Sequence, residues 1–179
     1  MKYWPDYDIH EPKVAPGSER LCEGLGPFRP NVAALILRPN IAHGLEILLG
    51  ERADTPGSWQ WPQGGLEPNE TPEACLRREM QEEVGLTDFH IQGHFPFMLR
   101  YRFPLRLGKK YAPRLGQDQL FYVISLKEGF EPELANASDK EFSQLLWVPL
   151  SQAGEKPVWF KAGVYEAALA ELGKWLTVF

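Results

Sequence analysis

Between positions 77 and 85 the chain reads RREMQEEVG. On a helix, positions i, i+3 and i+4 share a face, so Glu79, Glu82 and Glu83 stand together just before Gly85, with nothing basic between them. As a solvated face this arrangement is unrewarded. Like charges at i and i+4 cost roughly 0.2–0.5 kcal/mol, and each carboxylate in a last turn opposes the helix dipole by about 0.3–1 kcal/mol. A hard divalent cation reverses the sign, because clustered carboxylates are suitable oxygen ligands for Mg²⁺ or Mn²⁺, which keep other positions for water and substrate phosphates. Arg78 is placed to hold one of these carboxylates through a forked pair; its plainer reading is an ordinary surface pair with Glu82.

The elements that must position this cluster follow from local signals. Thr71 suits an N-cap, Pro72 the first helical position and Gly85 a left-handed stop, which predicts a helix over 72–84. Before it, SWQWPQGG passes from an aromatic, strand-like start into a Gly and Pro loop. Val32 to Leu37 is a continuous apolar run typical of a buried strand, and LEILLGE is a second strand expected to pair with it. FHIQGHFPFMLRYRF, QDQLFYVISL and FSQLLWVPL are β-rich, while KAGVYEAALAELGKWL has helical periodicity. One central and one terminal helix among strands predict an α/β fold with a mixed sheet between helices. Residues 1–27, rich in Pro, Gly and charge without apolar periodicity, read as an irregular arm before a domain over 28–179.

The 179 residues, 44% of them hydrophobic, suit one domain with one sizeable core. A net charge of −5 argues against holding nucleic acid by overall charge, so an anionic partner must be held locally and no DNA partner is expected. The first residues lack a basic end followed by an apolar run, and no stretch approaches a membrane span. Two cysteines, Cys22 and Cys75, are too few for a disulfide framework or a four-ligand zinc site, which fits a reducing cytoplasm.

The segment GGLEPNETPEACLRREMQEEVGL resembles the Nudix box. Gly64, Glu70, Arg78, Glu79, Met80, Glu82, Glu83, Gly85 and Leu86 meet every specified position of it. The resemblance implies a Nudix fold and hydrolysis of a diphosphate linked to another moiety. It gives Glu79, Glu82 and Glu83 the role of metal ligands, often joined by the first glycine's carbonyl, here that of Gly64. One of these glutamates, or one from a later loop, would take a proton from the attacking water. Phosphoryl transfer needs charge neutralisation, an aligned nucleophile and a stabilised leaving oxyanion, which divalent ions supply. With no Cys, Ser or His in an obvious nucleophile setting, attack by metal-activated water is favoured over a covalent intermediate.

Outside the box, residues 28–176 resemble the RNA pyrophosphohydrolases and dinucleoside polyphosphate hydrolases. The likeness runs through FRPNVAALIL, SWQWPQGGL, LRYRFP, GQDQLFYVISL, EFSQLLWVPL and WFKAGVYEAAL. It implies that Glu141 supplements the metal cluster and is a candidate base. Arg29 would lie beside the phosphates and Tyr101 would face the nucleotide. Gln117 and Gln119 match the Gly-Gln-x-Gln run and are carried over as substrate contacts. Phe160 would stack on a base, with core packing as the plain reading, and Lys161 would meet phosphate. Where that subgroup often has an arginine near the base, this chain offers Arg52. Composition adds Arg100, Arg102, Arg106, Lys109, Lys110 and Arg114, a basic stretch without an acid, interleaved with Tyr101, Phe103 and Tyr111, as suits bases plus phosphates.

The expected substrate is an RNA 5′-triphosphate end or a dinucleoside polyphosphate such as diadenosine tetraphosphate. The alternatives are a nucleotide-sugar or nucleoside triphosphate pyrophosphatase and a non-hydrolytic nucleotide sensor.

Overall fold

The computed structural model describes residues 10–14, 28–42, 44–104, 112–155 and 157–177. Its central strand, β2 (Phe28–Asn40), carries the continuous apolar run, and the reason lies in its two covered faces. Val32, Ala34 and Ile36 join one core while Ala33, Leu35 and Leu37 join the other. Helix α1 (Pro72–Val84) closes the first core with Cys75, Leu76, Met80 and Val84. Helix α2 (Ala162–Leu176) closes the second with Val164, Tyr165, Ala168 and Leu172.

The mixed sheet of eight described strands also contains β1 (His10–Val14), β3 (Gly44–Arg52), β4 (Trp59–Gln60), β5 (Gln63–Gly65), β6 (Phe89–Arg102), β7 (Gly116–Leu126) and β8 (Phe142–Pro149). Strand β2 runs parallel to β7 from Phe28 to Leu37 and antiparallel to β3, as the sequence predicts, but only from Leu37 to Asn40. Beyond that point β2 and β3 take separate partners. Strand β4 pairs with Gly50 and Glu51 of β3, whereas β5 pairs with Asn31–Ala33 of β2. Strand β8 lies along β3, and this split gathers Arg29, Gln60, Gln63 and Glu141 around one cleft.

Helix α1 has the bounds the sequence predicts. Thr71 Oγ accepts the Ala74 N–H at 3.2 Å, and Gly85 adopts φ 66° while Leu86 N–H reaches Met80 O at 3.0 Å. A side chain at position 85 would also stand 2.2 Å from the Glu133 carbonyl oxygen. The arm differs from expectation, because His10–Val14 is not irregular: it pairs parallel with β6, from His10↔Phe97 to Val14↔Arg100. The segment HEPKV lacks apolar alternation and contains a proline, and such a sequence is tolerated at a sheet edge, where one side of the backbone needs no partner.

Candidate active site

The acidic face of α1 is not a solvated surface. Glu79 and Glu83 are buried, at 9% and 2% exposure, and Glu82 is half-buried. All three line one cleft of about 1100 Å³. Burial, then the charges of Glu141 and Glu79, hold the Glu83 carboxyl well above the usual carboxylate range, against the Gln63 N–H that donates to Glu83 Oε2 at 2.8 Å. Burial likewise raises Glu79, outweighing Arg78. Gly64 admits that carboxylate, since a Cβ there would lie 1.7 Å from the Glu79 carboxyl.

Arg78 organises the cluster more extensively than its sequence position suggests. Its fork grips Glu70, a box residue the sequence reading left without a role, through Nε to Oε1 at 2.9 Å and Nη2 to Oε2 at 3.0 Å. Nη1 donates to Glu79 at 2.7 Å and to Glu82 at 2.8 Å, and Nη2 to the Gly65 carbonyl at 3.2 Å. Led by the Glu70 bonds, these contacts raise the Arg78 pKa, and Arg78 in turn lowers that of Glu70. With Glu79 and Glu82 turned to Arg78, no group of three Asp, Glu, His or Cys among the described residues converges on one point. The donor set nonetheless fits a hard divalent ion. It consists of carboxylates beside the Gly64 carbonyl, and it includes the buried Glu83, whose charge is costly without a cation.

Glu141, just before β8, reaches the same cleft from the far side of the sheet split. Its Oε1 accepts from Arg52 Nη1 at 2.7 Å and Gln60 Nε2 at 2.9 Å. Arg52 also forks Asp54 at 2.8 and 2.7 Å, so here it anchors acids. Lys161, 3% exposed, donates to Gln60 Oε1 at 3.2 Å and Gln63 Oε1 at 2.8 Å. Burial and then Arg52 push its pKa down to about 7, against the pull of Glu141 and Glu83. Gln119 Nε2 donates onward to Gln63 Oε1 at 2.5 Å and Asn31 Oδ1 at 2.8 Å, which seats it behind the cleft wall. The glutamines of WQWPQGG thus join Lys161, Glu83 and Glu141, a link no local pattern signals.

Tyr101, Gln117 and Phe160 also line the cleft, with Lys161 Nζ 5.7 Å from the centre of the Tyr101 ring. Tyr101 is 1% exposed and donates from Oη to Gln117 Oε1 at 2.5 Å, and its ring lies 6.1 Å from that of Phe160. Phe160 is half-buried against the second core, and its neighbour Trp159, overlooked in the sequence, is 59% exposed beside it. The basic stretch divides. Arg100 pairs with buried Asp118 of β7 at 2.7 and 2.9 Å, an acid the local sequence does not reveal. Arg102 closes β6 opposite Gly116 and is not among the cleft-lining residues, whereas Arg29 and Arg114 are. Arg106, Lys109, Lys110 and Tyr111 lie outside the described residues.

The NUDIX domain profile matches residues 27–168. The chain belongs to the NUDIX domain family. An RNA pyrophosphohydrolase from a Nitratiruptor species is 36% identical over 142 residues, covering 79% of this chain and 91% of that protein. Another, from Helicobacter pylori, is 36% identical over 80% of this chain and 92% of its own length. A C. elegans Ap4A hydrolase structure aligns with a TM-score of 0.60 at 20% identity, over 84% of this chain and 99% of its own, which is a likeness of fold alone. The box resemblance and the α/β Nudix fold are therefore borne out. Members of this NUDIX domain family generally use divalent metal ions. No described helix is long and apolar enough to cross a membrane.

Proposed function

We propose that this chain is an Mg²⁺- or Mn²⁺-dependent pyrophosphohydrolase acting on RNA 5′-triphosphate ends, dinucleoside polyphosphates, or both. One observation carries the reading: Glu79, Glu82, Glu83 and Glu141 open into the same cleft as Arg29, Lys161 and Phe160. Acids for cations, cations for phosphates and a ring for a base are the three needs of a nucleotide polyphosphate. The relatives named RNA pyrophosphohydrolase support it, and a cytoplasmic setting goes with it.

Glu79, Glu82, Glu83, Glu141 and the Gly64 carbonyl are the groups that would hold the cation. When bound, such an ion neutralises phosphate oxygens and favours attack by water on phosphorus. Arg78 holds the carboxylates of α1 in register while it is itself fixed by Glu70. Glu141, tethered through Oε1 by Arg52 and Gln60, keeps Oε2 to accept the proton of the attacking water. Arg29 and the remaining N–H of Lys161 contact phosphate, and Phe160, backed by Tyr101, receives the base.

Turnover of triphosphorylated RNA and diadenosine tetraphosphate, measured side by side with Mg²⁺, tests the proposal. Mg²⁺-dependent cleavage of at least one is expected. Tight binding of both without cleavage would overturn it in favour of a sensor.

A further inference from the structure

The cleft holds four described cations outside the Arg78 cluster, and two are already engaged. Arg52 is tied to Asp54 and Glu141, and Lys161 to Gln60 and Gln63. The other two, Arg29 and Arg114, make no ion pair or hydrogen bond through their side chains with any described residue, and Arg29 Nε is buried without a partner. Both come from the same end of adjacent parallel strands. Arg29 lies opposite Gln117 in the β2–β7 register, and Arg114 sits three residues before Gln117 in the segment that leads into β7. Gly65 lets the Arg29 side chain cross β5, since a Cβ there would lie 1.8 Å from Arg29 Nε. The two guanidiniums sense one another: burial first, then the like charge of Arg114, lowers the Arg29 pKa.

Two like charges share one concavity in which Glu79, the carboxylate that offsets part of the Arg29 charge, is also bound by Arg78, so the pair has capacity for a further counter-anion. A phosphate group supplies one, with oxygens spaced for planar guanidinium forks. We propose that Arg114 joins Arg29 in a two-arginine clamp on a phosphate of the substrate beyond the carboxylate cluster, so that Arg114 sets this chain's preference for longer polyphosphates. The proposal deepens the hydrolase reading and rests on it for the identity of the substrate, while the clamp itself is testable without turnover. Arg114 is exposed, so its replacement leaves the cores untouched.

The test uses the full chain and its Arg114→Ala and Arg114→Lys variants. Calorimetric titration with inorganic tripolyphosphate in EDTA reads the clamp without any cation. Loss of one charge-assisted fork should weaken binding about tenfold or more in Arg114→Ala, with partial recovery in Arg114→Lys, which keeps the charge but not the fork. With Mg²⁺, Arg114→Ala should raise KM for triphosphorylated more than for diphosphorylated RNA 5′ ends, and raise KM more than it lowers kcat. Equal tripolyphosphate affinity and an unchanged KM ratio in Arg114→Ala would overturn the clamp. Arg114-dependent tripolyphosphate binding by a protein that cleaves no anhydride would uphold the clamp and reject the hydrolase reading.

Discussion

Arg78 and Glu70, eight residues apart on α1 and the loop before it, form a two-pronged ion pair with N–O distances of 2.9 and 3.0 Å, and both side chains are largely shielded from water. The same guanidinium touches Glu79 and Glu82, so Glu70 positions the carboxylate face without lining the cleft. Glu70→Gln should therefore lower kcat about 10- to 100-fold, the range typical for partners that orient ligands, and should raise the Mg²⁺ concentration needed for half-maximal rate. Steady-state kinetics over a Mg²⁺ series checks this. Wild-type values would make the pair merely structural.

Glu83 carries a charge the metal-free fold disfavours. Its folded pKa lies above the unfolded one, so its ionisation destabilises the protein at pH values above the unfolded pKa of about 4.3, and the penalty fades as pH falls toward it. Glu83→Gln should raise the melting temperature in EDTA at pH 7 to 8, by about 2–4 °C for each kcal/mol relieved, with the gain shrinking near pH 4. The variant should lose orders of magnitude in turnover and most of the stabilisation that Mg²⁺ gives the wild type. Thermal unfolding across pH, with and without Mg²⁺, measures both stability effects, and a turnover assay measures the third.

The paired glycines of WPQGG receive different side chains, Glu79 at Gly64 and Arg29 at Gly65. Gly64→Ala should displace a candidate ligand and cut kcat by at least about 100-fold. Gly65→Ala should displace the arginine and chiefly raise KM. Kinetics of the two variants, with circular dichroism to verify the fold, separates these outcomes; identical defects would refute the division of labour.

Lys161 provides a pH signature. Its folded pKa of about 7 lies below its ordinary value of 10.5, so the charged form is penalised at and below neutral pH, and stability is gained as pH rises from about 7 toward 10. Lys161→Met removes that dependence. The stability difference between wild type and variant should shift in favour of the wild type by an amount on the order of 2–4 kcal/mol between pH 7 and 10. Urea unfolding at the two pH values reads it, and parallel curves would show a lysine with ordinary titration.

Helix α1, the buried run of β2 and the acidic cluster are legible because their signals are local: Thr71 and Gly85 cap the helix, and glutamates at i, i+3 and i+4 must share its face, whereas the division of the one expected core into two follows from the sheet lying between the helices. The rest depends on register between distant segments. Arg52 meets Glu141 across 89 residues, and Arg100 finds Asp118 only once β6 lies beside β7. No local window of sequence signals such a pair, so by sequence alone Arg100 belongs with the basic stretch suited to bases and phosphates. The strand at His10–Val14 is silent in the sequence for the same reason, since only pairing with β6 marks it.

The whole reading depends on Glu79, Glu82 and Glu83, kept in register by Arg78, being the groups that would hold a divalent ion beside a bound polyphosphate. Anomalous diffraction from crystals soaked with Mn²⁺ and a non-hydrolysable diphosphate-linked nucleotide tests it most directly. Manganese peaks bounded by Glu79, Glu82 and Glu83, with phosphate oxygens on their open side, are expected. Crystals holding the nucleotide in the cleft, with Arg78 still bridging Glu79 and Glu82 and no manganese beside them, would contradict it.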